Sequence, residues 1–145
     1  MEHSATPAPT LLGLERMVVA SVGITARALA EVAPELTFVQ WRVLVLVDDP
    51  DGVAIGTIAT ALGAKIAAMS RLVGRLRTHG LVATQRSEVD ARIVLVHLTE
   101  LGLDLRDRVV ERRRGELQAG IDDADLLPGT DRVLERLAAV LEGVM

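Results

Sequence analysis

Bases are the residues whose types and spacing could do chemistry in this chain of 145 residues. From Lys65 to Arg92 it carries six of them (Lys65, Arg71, Arg75, Arg77, Arg86 and Arg92) against two acids, Glu88 and Asp90. That segment is +4 in a chain whose formal net charge is −4, which leaves −8 for the rest. A guanidinium can bond guanine O6 and N7 or a phosphate, and a basic cluster set against an acidic remainder is the footprint of a segment that meets nucleic acid. A solvated basic face carries the same charges, so the cluster alone leaves both readings open. Lys65 is the only lysine. It falls at the start of a helical stretch, where the macrodipole disfavours a cation and a bound phosphate would remove the conflict. An exposed helix end would bear the same conflict at a cost of a few tenths of a kcal/mol, roughly.

Other chemistries lack their residues. With no cysteine there are no disulfides, no thiol redox sensing and no thiolate metal sites. His3, His79 and His97 lie far apart, off the short spacing of helical metal ligands, so neither a metal nor another cofactor is expected. Ser70 and Ser87 have no histidine partner in any motif, and no glycine loop of the phosphate-cradling type is present. The chain is therefore expected not to be an enzyme, with no catalytic residues. The run Glu111-Arg112-Arg113-Arg114 spreads around a helix, and its arginines are expected to pair with Glu111, Asp107 or a partner chain. No apolar run reaches the roughly 18 residues that span a bilayer, and the opening MEHSATPAPT lacks the basic and apolar regions of a signal peptide. A cytoplasmic protein with no membrane partner is expected.

These bases need elements to hold them, and half of the residues are apolar, enough for a real core. Residues 1–9 read as a flexible tail. Thr10 can cap a first helix over 10–35, with Leu11, Leu14, Val18, Val22, Thr25 and Leu29 on one face and Pro34 limiting its run. Thr37 and Gln40 form a capping box for a second helix, FVQWRVLVLV. Asp49-Pro50-Asp51-Gly52 is a turn, followed by a strand-like VAI. A brief helix, GTIATALG, closes at Gly63, and a third helical stretch runs from Lys65 to His79 with Gly80 as its C-terminal cap. There Ile66, Met69, Leu72, Val73 and Leu76 share the apolar face, and Ala67, Arg71, Gly74, Arg75 and Thr78 lie opposite. LVATQR and RIVLVHL then form a hairpin around residues 87–91. Thr99 caps a long helix to about Gln118, residues 120–129 form a break with Pro128, and a last helix starts near Thr130 with Val133, Leu137, Val140, Leu141 and Val144 on its apolar side. The order predicts a mainly α chain with a small β-hairpin wing: a winged helix-turn-helix over 36–98, between a helix at 10–35 and C-terminal helices over 99–145. The terminal helices carry more apolar stripe than one small domain can cover, so a homodimer is expected.

Three stretches give this order a family likeness. LTFVQWRVLVLV (36–47), MSRLVGRLRTHGLV (69–82), and Asp90-x-Arg92 with Leu98-Thr99-x-x-Gly102 resemble the MarR family (multiple antibiotic resistance regulators) from about Leu36 to Gly102. The resemblance implies a homodimer whose first and last two helices intertwine. It implies recognition helices in successive major grooves of a pseudo-palindromic operator in double-stranded DNA, with the Arg92 wing in the minor groove. The residues expected to meet DNA are Lys65, Ala67, Ala68, Ser70, Arg71, Arg75 and Arg77 on the helix, and Arg86, Asp90 and Arg92 in the wing. Asp90 stands two residues before Arg92, close enough to orient the guanidinium; shaping the turn is its other reading.

Many members of this family release DNA when a small, often aromatic, anion binds between the dimer helices and the reading domain. By that likeness Trp41 and Arg42 on the second helix can meet such an effector, with Arg16 as a further anion partner; for Trp41 plain core packing is the favoured reading. His97, on a strand, is expected to pack. The chain departs from the family at two places. Lys65-Ile66-Ala67 stands where Ser-Pro-Ser is common, and Ala91 where a second wing base is common, which weakens the minor-groove grip. The absence of cysteine excludes the peroxide-sensing branch. The function expected is a ligand-responsive repressor; the alternative is a dimeric interaction protein of the same fold that has lost tight DNA binding.

Overall fold

The structure, a computed structural model, describes residues 9–143. Most of the expected tail, residues 1–8, and Val144 of the last apolar stripe lie outside the described residues. The elements run α1 (Pro9–Val32), α2 (Phe38–Leu46), β1 (Val53–Ala54), α3 (Ile55–Ala61), α4 (Ile66–Thr78), β2 (Val82–Arg86), β3 (Val94–Leu98), α5 (Glu100–Asp123) and α6 (Thr130–Glu142). Among the described residues no helix is long and apolar enough to cross a membrane.

Local chemistry sets most of these boundaries. The first helix begins at Pro9, so Thr10 lies inside it rather than capping it; proline suits a first helical position because its φ is already helical and its missing N–H has no partner there. At α2 the Thr37 hydroxyl accepts from the Gln40 N–H while the Gln40 side chain accepts from the Thr37 N–H, a complete capping box. Gly52, closing the 49–52 turn, has φ +86° and lies against the His97 ring, so a side chain there would meet both strain and a clash. The β3 strand is central, paired antiparallel with β1 (Val53↔Val96) and with β2 (Arg86↔Val94 to Val82↔Leu98).

Several expected boundaries move: Ile55, expected in the strand-like VAI, is the first residue of α3, and the first helix ends at Val32, short of 35. The hairpin loop spans 87–93 rather than 87–91, because a turn closed by the Ile93 N–H on the Asp90 carbonyl holds Arg92 off the strand. The α5 helix runs to Asp123, past Gln118 and through Gly120. Gln118 donates to Asp122 at 2.8 Å across that glycine, and Pro128 is too distant to end the helix sooner.

The core lies among α2, α3, α4, the sheet and α5: Trp41, Val43, Leu44, Ile58, Met69, Val73, Leu76, Val82, Val96 and Val109 are buried. Each large side chain among them stabilises the fold by roughly 1.5–3 kcal/mol. The α1 helix packs along α5. Only the C-terminal half of its stripe is covered, with Thr25 and Leu29 buried, whereas Leu11, Val18 and Val22 are about half exposed. Val133, Val140 and Leu141 of α6 are exposed as well. Of the arginine run on α5, Arg112 pairs within the chain with neither Glu111 nor Asp107. Arg112 reaches Glu31 of α1 at 2.6 Å and Glu116 at 3.2 Å, and Arg27 meets Glu116 at 2.8 Å, because the packing of α1 on α5 brings acids of both helices to hand.

Candidate nucleic-acid interface

The α4 helix is amphipathic, and its burial fixes what it presents. Met69, Leu72, Val73 and Leu76 are buried, which turns Lys65, Ala67, Ala68, Ser70, Arg71, Arg75 and Arg77 outward; all seven are exposed. The turn before it is held by Gly63, at φ +60°, and by the Ala64 N–H on the Ala59 carbonyl at 2.8 Å. Behind it, Gly80 at φ +71° lets the chain reverse, and its carbonyl accepts from the Thr99 hydroxyl at 2.6 Å. Thr99 thus caps α5 and ties its start to the end of α4. One expected core residue is not in the core: Ile66 is 62% exposed. In the first turn of a helix a side chain leans back past the helix end, where no earlier turn covers it.

The wing is a small hydrogen-bonded device. Ser87 Oγ accepts from the Val89 and Asp90 N–H groups, and the Ser87 N–H donates to the Ile93 carbonyl at 2.9 Å. Asp90 then holds Arg92 three ways. Its Oδ1 accepts from the Arg92 backbone N–H and from Nε, both at 3.0 Å, and its Oδ2 accepts from Nη2 at 2.9 Å. The Arg92 side chain nonetheless stays 90% exposed, against 33% for Asp90. The side-chain bonds to Arg92, and then the backbone one, hold the Asp90 carboxyl below its ordinary range, and the same fork pushes the Arg92 guanidinium up.

The six bases differ in their partners within the chain. Lys65, Arg71 and Arg75 make no ion pair or side-chain hydrogen bond among the described residues, and Lys65 offers no side-chain cap to α4. Arg77 donates to Thr84 Oγ1 at 3.3 Å, joining α4 to β2, and Arg86 donates to the Ala91 carbonyl at 2.6 Å, across the wing. The sequence treated these two as contacts like the rest. Their tethering depends on strand register, for which the sequence holds no short-range signal.

The ligand candidates do not assemble in the single chain. Trp41 is a core residue, 1% exposed. Arg42 beside it is partly buried, and its Nε has no hydrogen-bond partner among the described residues. Arg16 is exposed on α1, in a shallow depression with Leu12 and Val19. A more enclosed cavity of about 350 Å³ lies between the α1–α2 connection and α5, lined by Leu36, His79, Leu81 and Leu105. His97 is packed beside Gly52, with its Nε2 buried and without a hydrogen-bond partner among the described residues. No group of acids and histidines that could hold a metal occurs among the described residues.

Residues 35–93, the helix-turn-helix and most of the wing, match the model of the MarR family. The chain is 31% identical over 110 residues to the HTH-type transcriptional repressor IacR of Pseudomonas putida, across 76% of this chain and 63% of that one. The matched stretch spans 48% to 63% of the length of the curated relatives. Among solved structures, RV1404 from Mycobacterium tuberculosis superposes with a TM-score of 0.73 at 27% identity, covering 95% of both chains. CouR from Rhodococcus jostii RHA1, solved bound to p-coumaroyl-CoA, superposes with a TM-score of 0.72 at 25% identity, over 98% of this chain and 95% of that one. This likeness runs through the α3–α4 turn, the wing and the flanking helices alike, and it makes the chain similar to the MarR family.

Proposed function

We propose that the chain works as a homodimeric, sequence-specific DNA-binding transcription regulator: a cytoplasmic repressor rather than an enzyme, released from its operator by a small aromatic anion. One observation carries this reading. The exposed face of α4 sets Lys65, Arg71 and Arg75, all without partners in the described chain, beside a wing whose Arg92 is held outward by Asp90. Arginines on the helix suit guanine edges or phosphates in a major groove, and a forked, exposed arginine suits the negative potential of a narrow minor groove. The apolar residues left exposed on α1 and α6 support a second copy across a two-fold axis, which in turn calls for a pseudo-palindromic duplex. The aromatic acyl ligand of the Rhodococcus relative supports an aromatic effector here, with Trp41, Arg42 and Arg16 as the residues to watch.

A rival reading keeps the dimer without tight DNA binding. It is favoured by Ala91 at the wing tip and by Arg86, whose guanidinium is engaged on the Ala91 carbonyl. A mobility-shift series on duplexes from the region upstream of the protein's own coding sequence separates the two. The regulator gives a specific shift that Arg71→Ala and Arg75→Ala each weaken, by about 1–3 kcal/mol where the arginine reads a base. An interaction protein gives no shift that unrelated DNA does not also give.

A further inference from the structure

Ile66 is an apolar side chain left at the entrance of the recognition helix. Ala67 and Ala68 next to it are exposed too, and the N-cap Lys65 makes no capping hydrogen bond. The first turn of α4 therefore brings three hydrocarbon surfaces before any side-chain hydrogen-bonding group appears at Ser70 and Arg71. Ile66 and Ser70 also line one groove, about 890 Å³, with Thr57 and Thr60 of α3 and with Arg92 and Ile93 of the wing. Ile66 thus faces the same space as the wing arginine.

Among the base edges in the major groove, thymine alone carries a protruding apolar group, its C5-methyl. Isoleucine and alanine can satisfy none of the polar groups, and pressing hydrocarbon on them leaves them desolvated without a partner. Against a methyl the same surface gains burial. Building on the proposed DNA-binding reading, we infer that Ile66 is a specificity-determining residue that selects thymine by its methyl group.

Replacing thymine by deoxyuridine removes that methyl and keeps every hydrogen-bonding group. Duplexes are selected with the full-length protein from a random-sequence pool. The selected duplex is then compared in its thymine and deoxyuridine forms against the wild type and Ile66→Ala. Burial of one methyl corresponds to about a fourfold change in affinity. The wild type should lose roughly fourfold for each contacted methyl, and Ile66→Ala should lose most of that sensitivity. Equal wild-type affinity for both forms overturns the inference, as does a deoxyuridine penalty that Ile66→Ala retains in full. Enrichment of no duplex at all overturns instead the DNA-binding reading beneath it. Equal wild-type affinity overturns the inference without any variant, and Ile66→Val, a smaller change that should likewise lower the deoxyuridine penalty, carries the second comparison if Ile66→Ala folds poorly.

Discussion

Asp90 and Arg92 show how two residues can trade attraction for shape. A carboxylate beside DNA phosphates repels them, yet here it accepts three hydrogen bonds from one arginine and leaves that arginine's side chain exposed. Pre-ordering the guanidinium removes a cost that binding would otherwise bear. Arg92→Ala should weaken DNA binding, most on A·T-rich flanks. Asp90→Ala should weaken it as well, and the double variant should lose less than the sum of the two singles. An Asp90→Ala variant that binds more tightly would show that repulsion was the carboxylate's only effect. The fork also fixes a pH window. Because the folded carboxyl titrates below its ordinary value, its contribution is fully present above the unfolded value of about 3.9 and is lost only as pH falls through the lowered one. An NMR titration should therefore find Asp90 low in the wild type and raised in Arg92→Ala, where only the backbone N–H still holds it down; an unmoved value would contradict the fork. This pair was legible in the sequence because its partners are two residues apart. The tethers from Arg77 to Thr84 and from Arg86 to Ala91 were not, since both depend on the register of β2.

Among the elements, the junction of α4, β2 and α5 is the tightest. The Leu81 carbonyl accepts from the Thr99 N–H at 3.2 Å, and Gly102, one turn into α5, sits so close that a Cβ there would collide with that carbonyl. Gly102→Ala should destabilise the chain by about 3 kcal/mol, read as a lowered denaturation midpoint, because backbone on both sides must shift. An unchanged midpoint would mean that α5 moves freely against the hairpin. The ends of these elements were readable where a capping side chain (Thr37, Thr99) or a left-handed glycine (Gly80) marks them, and misread where context outweighs propensity. Gly120 looked like a helix end but is spanned by the Gln118–Asp122 bond. Ile66 fell on the apolar face by spacing, yet periodicity holds no information on whether a preceding turn exists to cover a residue.

At the scale of the molecule, what a single chain leaves uncovered speaks for assembly. The first half of α1 and the outer side of α6 keep Val18, Val19, Val22, Val133 and Val140 about half exposed or more, a hydrocarbon surface that a soluble monomer rarely carries. Sedimentation at micromolar concentration should give about twice the 15.5 kDa of one chain. A stable monomer would remove the two-fold axis and with it the palindromic operator. A pocket completed between copies would also explain why Arg16, Trp41 and Arg42 share no cavity in one chain. Salicylate-like acids should then change the Trp41 fluorescence of the dimer and weaken its hold on DNA, and a panel that changes neither would leave Trp41 as core alone.

The salt dependence of duplex binding tests the central claim most directly. Six bases per subunit lie in the segment 65–92, and those that reach phosphates release counterions on binding. Fluorescence anisotropy of a selected operator duplex, titrated with the protein at salt concentrations from about 50 to 200 mM, should show affinity falling by orders of magnitude while the operator stays preferred over unrelated sequence. Binding that ignores salt, or a dimer that prefers no duplex at any salt, would contradict the account.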